Sequence, residues 1–239
     1  MAAGKVLVLF AALTIAGCAT PSKTRSVSQG STASDTSDKD SPIPPASGAV
    51  FVGCGYLVVE NHGSTHFTVL IAGKDVGQAR KGQSIFVVDG VLIETTSATA
   101  QEIGSPSARG LTLLRNYMAW ESAYSAKMNG WPAVHPDGDA VPLGTPGIDA
   151  FMWGYDFPRP IEVLGQTAVR VAYLTAAIDD VVFVASAPAR SDDNLQVVAQ
   201  RLGRVVRALR RSPAPIDIFK LSADLKASKE PWPGCPSGG

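Results

Sequence analysis

Ser84-Ile85-Phe86-Val87-Val88-Asp89-Gly90-Val91-Leu92-Ile93-Glu94-Thr95 is two β-rich runs joined by an Asp-Gly pair. A two-residue hairpin loop needs left-handed backbone at its centre, which Asp and Gly tolerate, while Val, Ile and Phe favour the pleated conformation beside it. The stretch predicts a β-hairpin. Upstream, Tyr56-Leu57-Val58-Val59 and Phe67-Thr68-Val69-Leu70-Ile71 flank Asn61-His62-Gly63 and predict a second. Downstream, residues 167–175 and 181–186 meet at Ile178-Asp179-Asp180 and predict a third.

Between these strands the apolar period changes. Leu113, Tyr117, Trp120 and Tyr124 recur at helical spacing, with Ser105-Pro106-Ser107 as the expected cap and first turn and Asn129-Gly130 as the stop. Leu195, Val198, Leu202, Val205 and Leu209 define a second amphipathic helix, capped by Ser191-Asp192-Asp193. Residues 132–160, rich in Gly and Pro, read as a long irregular loop, a place where binding groups often sit. Hairpin-joined strands lie antiparallel and the helices must bury their stripes on them. The expected fold is therefore α+β: an antiparallel sheet of about six short strands with two packed amphipathic helices. The order of hairpin and then capped helix over about residues 150–212 resembles the PsbP-like domains found in some bacterial lipoproteins, a resemblance that implies no site residue.

The start of the chain carries an address. Lys5 precedes an apolar run, residues 6–13, too short to span a bilayer, and the run ends at Ile15-Ala16-Gly17-Cys18. That tetrapeptide resembles the bacterial lipobox, in which small residues admit the peptidase and the thiol receives a diacylglyceryl group. The resemblance implies cleavage before Cys18, membrane anchoring through lipid on Cys18, and, with Ala19 following, the outer membrane of a Gram-negative cell envelope. Residues 20–47 are Ser, Thr, Asp, Lys and Pro with few apolar groups, and cannot offset their ordering entropy. The chain thus divides into a signal peptide, residues 1–17; a lipidated Cys18 with a disordered tether, residues 18–49; an α+β domain, residues 50–220; and a tail, residues 221–239.

Charge excludes one class of partner. The chain has 21 basic and 21 acidic residues, and cleavage removes Lys5 alone, leaving a formal charge of −1. Nucleic acid is not expected, for want of a field to gather it. With Cys18 acylated, Cys54 and Cys235 remain as a pair in an oxidising compartment; a disulfide between them is the expectation, with two free thiols as the alternative.

No chemical motif is complete. Gly77 to Ser84 has the frame of a phosphate loop, but Gln83 stands where the lysine is needed. His62, His66 and His135 are the three histidines, and a metal site built from them, even with Glu60, lacks ligand spacing. No catalytic set, metal or cofactor is assigned. His135 with Asp137 and Asp139 is the nearest approach to a hydrolase loop, though turn chemistry explains those aspartates equally well. Arg204, Arg207 and Arg211, projected on one helix, lie opposite the apolar stripe with Arg201 and Arg210 flanking it. They are either a solvated face or a partner-binding face. Trp120, Trp131, Trp153 and Tyr155 are core, or else the walls of a pocket for an apolar ligand. The sequence reading is a lipid-anchored binding or assembly module, with a small hydrolase or a ligand carrier as alternatives.

Overall fold

The computed structural model describes residues 47–79, 83–193 and 195–228, together with Trp232 and Cys235. The signal segment, Cys18 and nearly all of the tether lie outside these residues. The described residues form eleven strands and three helices. In order they are β1 (Ser47–Phe51), β2 (Gly55–His62), β3 (Thr65–Ala72), β4 (Val76–Gln78), β5 (Ile85–Val88), β6 (Val91–Thr99), α1 (Gly110–Asn129), β7 (Asp137–Ala140), β8 (Asp149–Val163), β9 (Gln166–Ile178), β10 (Val181–Ala189), α2 (Leu195–Arg207), β11 (Leu209–Ser212) and α3 (Ile218–Ala227).

The strands make two antiparallel sheets, where about six strands in a single sheet were expected. One has four strands in the order β1-β2-β3-β11, the other seven in the order β4-β5-β6-β10-β9-β8-β7. All three expected hairpins form, as β2–β3, β5–β6 and β9–β10. At the tip of β5–β6, Asp89 takes left-handed backbone at φ 49°. Its carboxylate accepts from the backbone N–H of Lys74 at 2.8 Å and Asp75 at 3.0 Å. These bonds, the one from Asp75 foremost, hold the Asp89 carboxyl below its ordinary value.

Side-chain alternation sends the seven-stranded sheet into two cores. Phe183, Ala185 and Ala187 of β10, with Leu174 and Ala176 of β9, point toward Phe67, Val69 and Ile71 of β3 and Val198, Leu202 and Val205 of α2. Val182 and Val184, with Tyr173, Trp153 and Tyr155, point the other way, toward Leu113, Leu114 and Tyr117 of α1. A third, smaller core lies outside the four-stranded sheet, where Val50 and Val59 meet Ile218. The layers run from α1, through the seven-stranded sheet, to α2 and the four-stranded sheet, and then to α3.

Three local expectations are corrected. The stretch 132–160 is not one loop: β7 and the first part of β8 occupy much of it, and Gly138 is there because a Cβ would lie 2.4 Å from the Cβ of Trp153 on the neighbouring strand. Pro158 and Pro160 fall where β8 shifts register against β9, between Asp156 and Ile161, so their missing N–H groups interrupt a bulge and spare the ladder. The first helix starts at Gly110, because residues 99–108 are used in turns, with Thr99 donating to Glu102 and the backbone of Ser105 to Ala100. The second helix ends at Arg207, and Leu209 meets the same core from β11, paired with Val69.

The folded unit also exceeds the expected bounds of residues 50–220. β1 begins at Ser47, and α3 extends into the expected tail to Ala227. Asn61 of β2 holds the approach to α3, its side chain donating to the backbone oxygen of Ile216 at 3.0 Å and accepting from its N–H at 2.9 Å. Asp217 then caps the helix, accepting from the N–H groups of Phe219 and Lys220, each at 2.9 Å. Asp217→Ala should cost about 1 kcal/mol and speed amide exchange in α3 while leaving β9 and β10 unchanged; equal exchange of α3 in variant and wild type would contradict this capping role.

Candidate functional site

The four aromatic residues expected either in the core or around a pocket fall in one region, beneath and beside α1. Trp153 of β8 and Tyr173 of β9 stack at 3.9 Å with an interplanar angle of 6°. Tyr155 lies on the same face, and both Trp153 and Tyr155 are 2 % exposed. Trp120 stacks on Tyr124 along α1 at 5.4 Å, and Trp131 packs on Phe157 at 5.5 Å. These rings form a packed layer and line neither of the grooves described below.

Two carboxyls are buried in that layer, and neither was singled out from sequence. Glu94 points from β6 toward α1, and Glu121, fully buried, points from α1 toward the sheet. Ser125 donates to one oxygen of Glu121 at 2.7 Å. The other oxygen, Oε2 of Glu94, the hydroxyl of Tyr117 and Nε1 of Trp153 are buried without a hydrogen-bond partner. No ion pair reaches either carboxyl among the described residues. Burial therefore raises the Glu121 carboxyl to about 7, against an ordinary 4.5, with Ser125 and Tyr173 opposing the rise. Glu94 is raised well above its ordinary value by burial and then by Glu121. Burial likewise raises the phenols of Tyr117, Tyr155 and Tyr173, so the cluster is uncharged in mildly acidic solution. A signal did exist: Tyr117, Glu121 and Ser125 continue the buried face of α1 at intervals of four, placing an acid on an apolar stripe.

A second polar cluster joins the two sheets. Ser97 of β6 donates to Glu60 of β2 at 2.8 Å, and His62 Nε2 lies 3.0 Å from the same carboxylate and 2.8 Å from the Ser97 hydroxyl. The residue types are those of a hydrolytic triad, but the arrangement is not. Serine and acid meet the same imidazole nitrogen, whereas relay of a proton needs them on opposite nitrogens. The set is a cross-sheet latch. His66 lies on the opposite face of the hairpin from His62, following strand alternation. Among the described residues no group of three or more His, Cys, Asp or Glu side chains could hold a metal ion. His135 is exposed, and no hydrogen bond or ion pair joins it to Asp137 or Asp139, themselves exposed on β7. Of the phosphate-loop frame, Gly77 and Gln78 belong to β4 and the chain enters β5, not a helix; residues 80–82 lie outside the described residues.

The arginines divide. Arg201 donates from α2 to the backbone oxygen of Asp89 at 2.9 Å, and the charge of Arg204 acts on the same turn. Arg211 is not on the helix: it lies on β11 and pairs with Asp179 at 3.0 Å. The expected face of Arg204, Arg207 and Arg211 is thus broken by the end of α2. In its place Arg207, Arg210 and Arg211 line an open groove of about 430 Å³ with Leu143, Ile148 and Leu209. The loop 141–148 separates it from a second groove of about 530 Å³ lined chiefly by the same loop.

Cys54 and Cys235 form a disulfide with a Cα separation of 5.7 Å and 181 residues between them in sequence. Cys54 sits in the turn between β1 and β2, so the bond fixes the end of the chain to the edge of the four-stranded sheet. Comparison with protein-family models, with curated proteins and with solved structures finds no match.

Constraint of so long a loop gives on the order of 5 kcal/mol by chain entropy, and observed values are often smaller. Cys235→Ser should lower the unfolding free energy by about 2–5 kcal/mol in urea titration. The same denaturation midpoint for variant and wild type would mean that the bond does not constrain the folded chain.

Proposed function

We propose that this chain is a lipid-anchored cell-envelope lipoprotein whose domain works as a binding or assembly module, holding an acidic segment of an envelope protein. The observation that carries the reading is the groove formed by Arg207, Arg210 and Arg211 over Leu143, Ile148 and Leu209. Three guanidiniums beside an apolar floor suit a segment that alternates carboxylates with apolar side chains. Among the described residues Arg207 and Arg210 carry no ion pair, whereas Arg211 is partly neutralised by Asp179. The lipobox and polar tether support the anchoring. Residues 19–46, read as a tether, are enough chain to carry the domain clear of the headgroups toward a protein partner.

The anchoring part is tested by labelling. Cells expressing the chain should incorporate labelled palmitate into it, and Cys18→Ala should abolish the label and leave an unprocessed precursor. Undiminished label in the variant contradicts the lipobox reading.

The binding part is tested by placing a photo-crosslinking residue at Thr145, in the groove, and another at Thr112, exposed on α1. In intact envelopes Thr145 should give a discrete protein adduct that fades as salt rises and is lost when Arg207 and Arg210 are replaced by Ser, since exposed charges are screened within about 10 Å at roughly 0.1 M. An adduct from both positions alike, or one insensitive to the arginines, contradicts the assignment of the groove.

A further inference from the structure

Helix α1 takes no part in the hydrogen bonding of either sheet. Its ends fall at Gly110 and Gly130, at φ 55° and 62°, left-handed backbone where a residue without Cβ turns freely. Its seat is the face of β8, β9 and β10. Across that seat Glu121 on the helix confronts Glu94 on the sheet, so charge on both acts to drive the two surfaces apart. The ionisable groups facing the pair are Tyr117 from α1, Tyr155 from β8 and Tyr173 from β9, while β10 has no ionisable residue. Arg115 and Lys127 of α1 are exposed on its far side. Among the described residues nothing cationic in the seat offsets two negative charges.

We propose that α1 is a proton-dependent cover: it stays seated over Trp153, Tyr155 and Tyr173 while Glu94 and Glu121 hold their protons, and swings away on Gly110 and Gly130 when the pair ionises. The direction follows from linkage. A carboxyl raised in the seated state binds more protons there than in the lifted state, so seating is fully favoured below the ordinary value of 4.5 and loses ground as pH rises through about 7 for Glu121. Lifting uncovers the stacked aromatic face, a surface suited to a planar or apolar ligand. The cover does not depend on the arginine groove, which belongs to the other side of the sheet.

The test is hydrogen-exchange protection of α1 and α2 in the full chain at about pH 5.5 and about pH 8.5, corrected for the intrinsic exchange rate. For Glu121 alone the expected fall in α1 protection is about 30-fold, with α2 unchanged. The double variant Glu94→Gln, Glu121→Gln should keep α1 protected at both values. Equal protection of wild-type α1 at the two values overturns the proposal. So does a loss shared by α2 and β10, which is unfolding of the whole domain. The wild-type comparison decides even where the double variant fails to fold; where it folds, a surviving pH dependence of α1 also overturns it.

Discussion

The rest of the structure depends on the burial of both faces of the seven-stranded sheet. Along β10 nearly every side chain is enclosed, alternately toward α1 and toward the four-stranded sheet with α2. A strand in that position has no solvent side, so each face needs its own cover. One cover is a single helix on glycine-bounded ends; the other is a sheet and helix locked together by β11. The same enclosure puts Glu94 and Glu121 out of reach of water. Their raised pKa values follow from the architecture, because a buried carboxyl without a cation is neutral or costly.

The two covers are held by different means. The four-stranded sheet is joined to the seven-stranded one by Glu60, His62 and Ser97 across to β6, and by a hydrogen bond from Thr65 to Asp180 at 3.2 Å. α1 is held mainly by apolar contact, and its polar contacts to the sheet are incomplete. A fold with one latched cover and one unlatched cover concentrates its opening in the unlatched one.

Legibility in the sequence followed the range of the interactions. Asn61-His62-Gly63, Asp89-Gly90 and Asp179-Asp180 specify hairpins through local backbone demands, and all three were readable. The apolar steps of α1 and α2 were readable for the same reason. Leu209 continues the apolar period of α2 yet belongs to β11, because a strand residue two positions beyond a helix can fill the place that the helical period predicts. β7 and β8 were hidden by Gly138, Pro158 and Pro160, which fit there only because of a close neighbour and a bulge. α3 was obscured by its proline-rich flanks. The acidic pair could be found only by knowing that α1 and β6 meet, although an acid on the stripe of Tyr117 and Ser125 was a hint.

The central claim is that two carboxyls are sealed between helix and sheet with no counter-charge among the described residues. Titration of the side-chain carboxyl carbon of Glu121 by NMR, in the full chain, tests it most directly. The account predicts a midpoint at about 7; a midpoint in the ordinary range of about 4–5 would mean that water or a cation reaches the carboxyl, and would contradict the account.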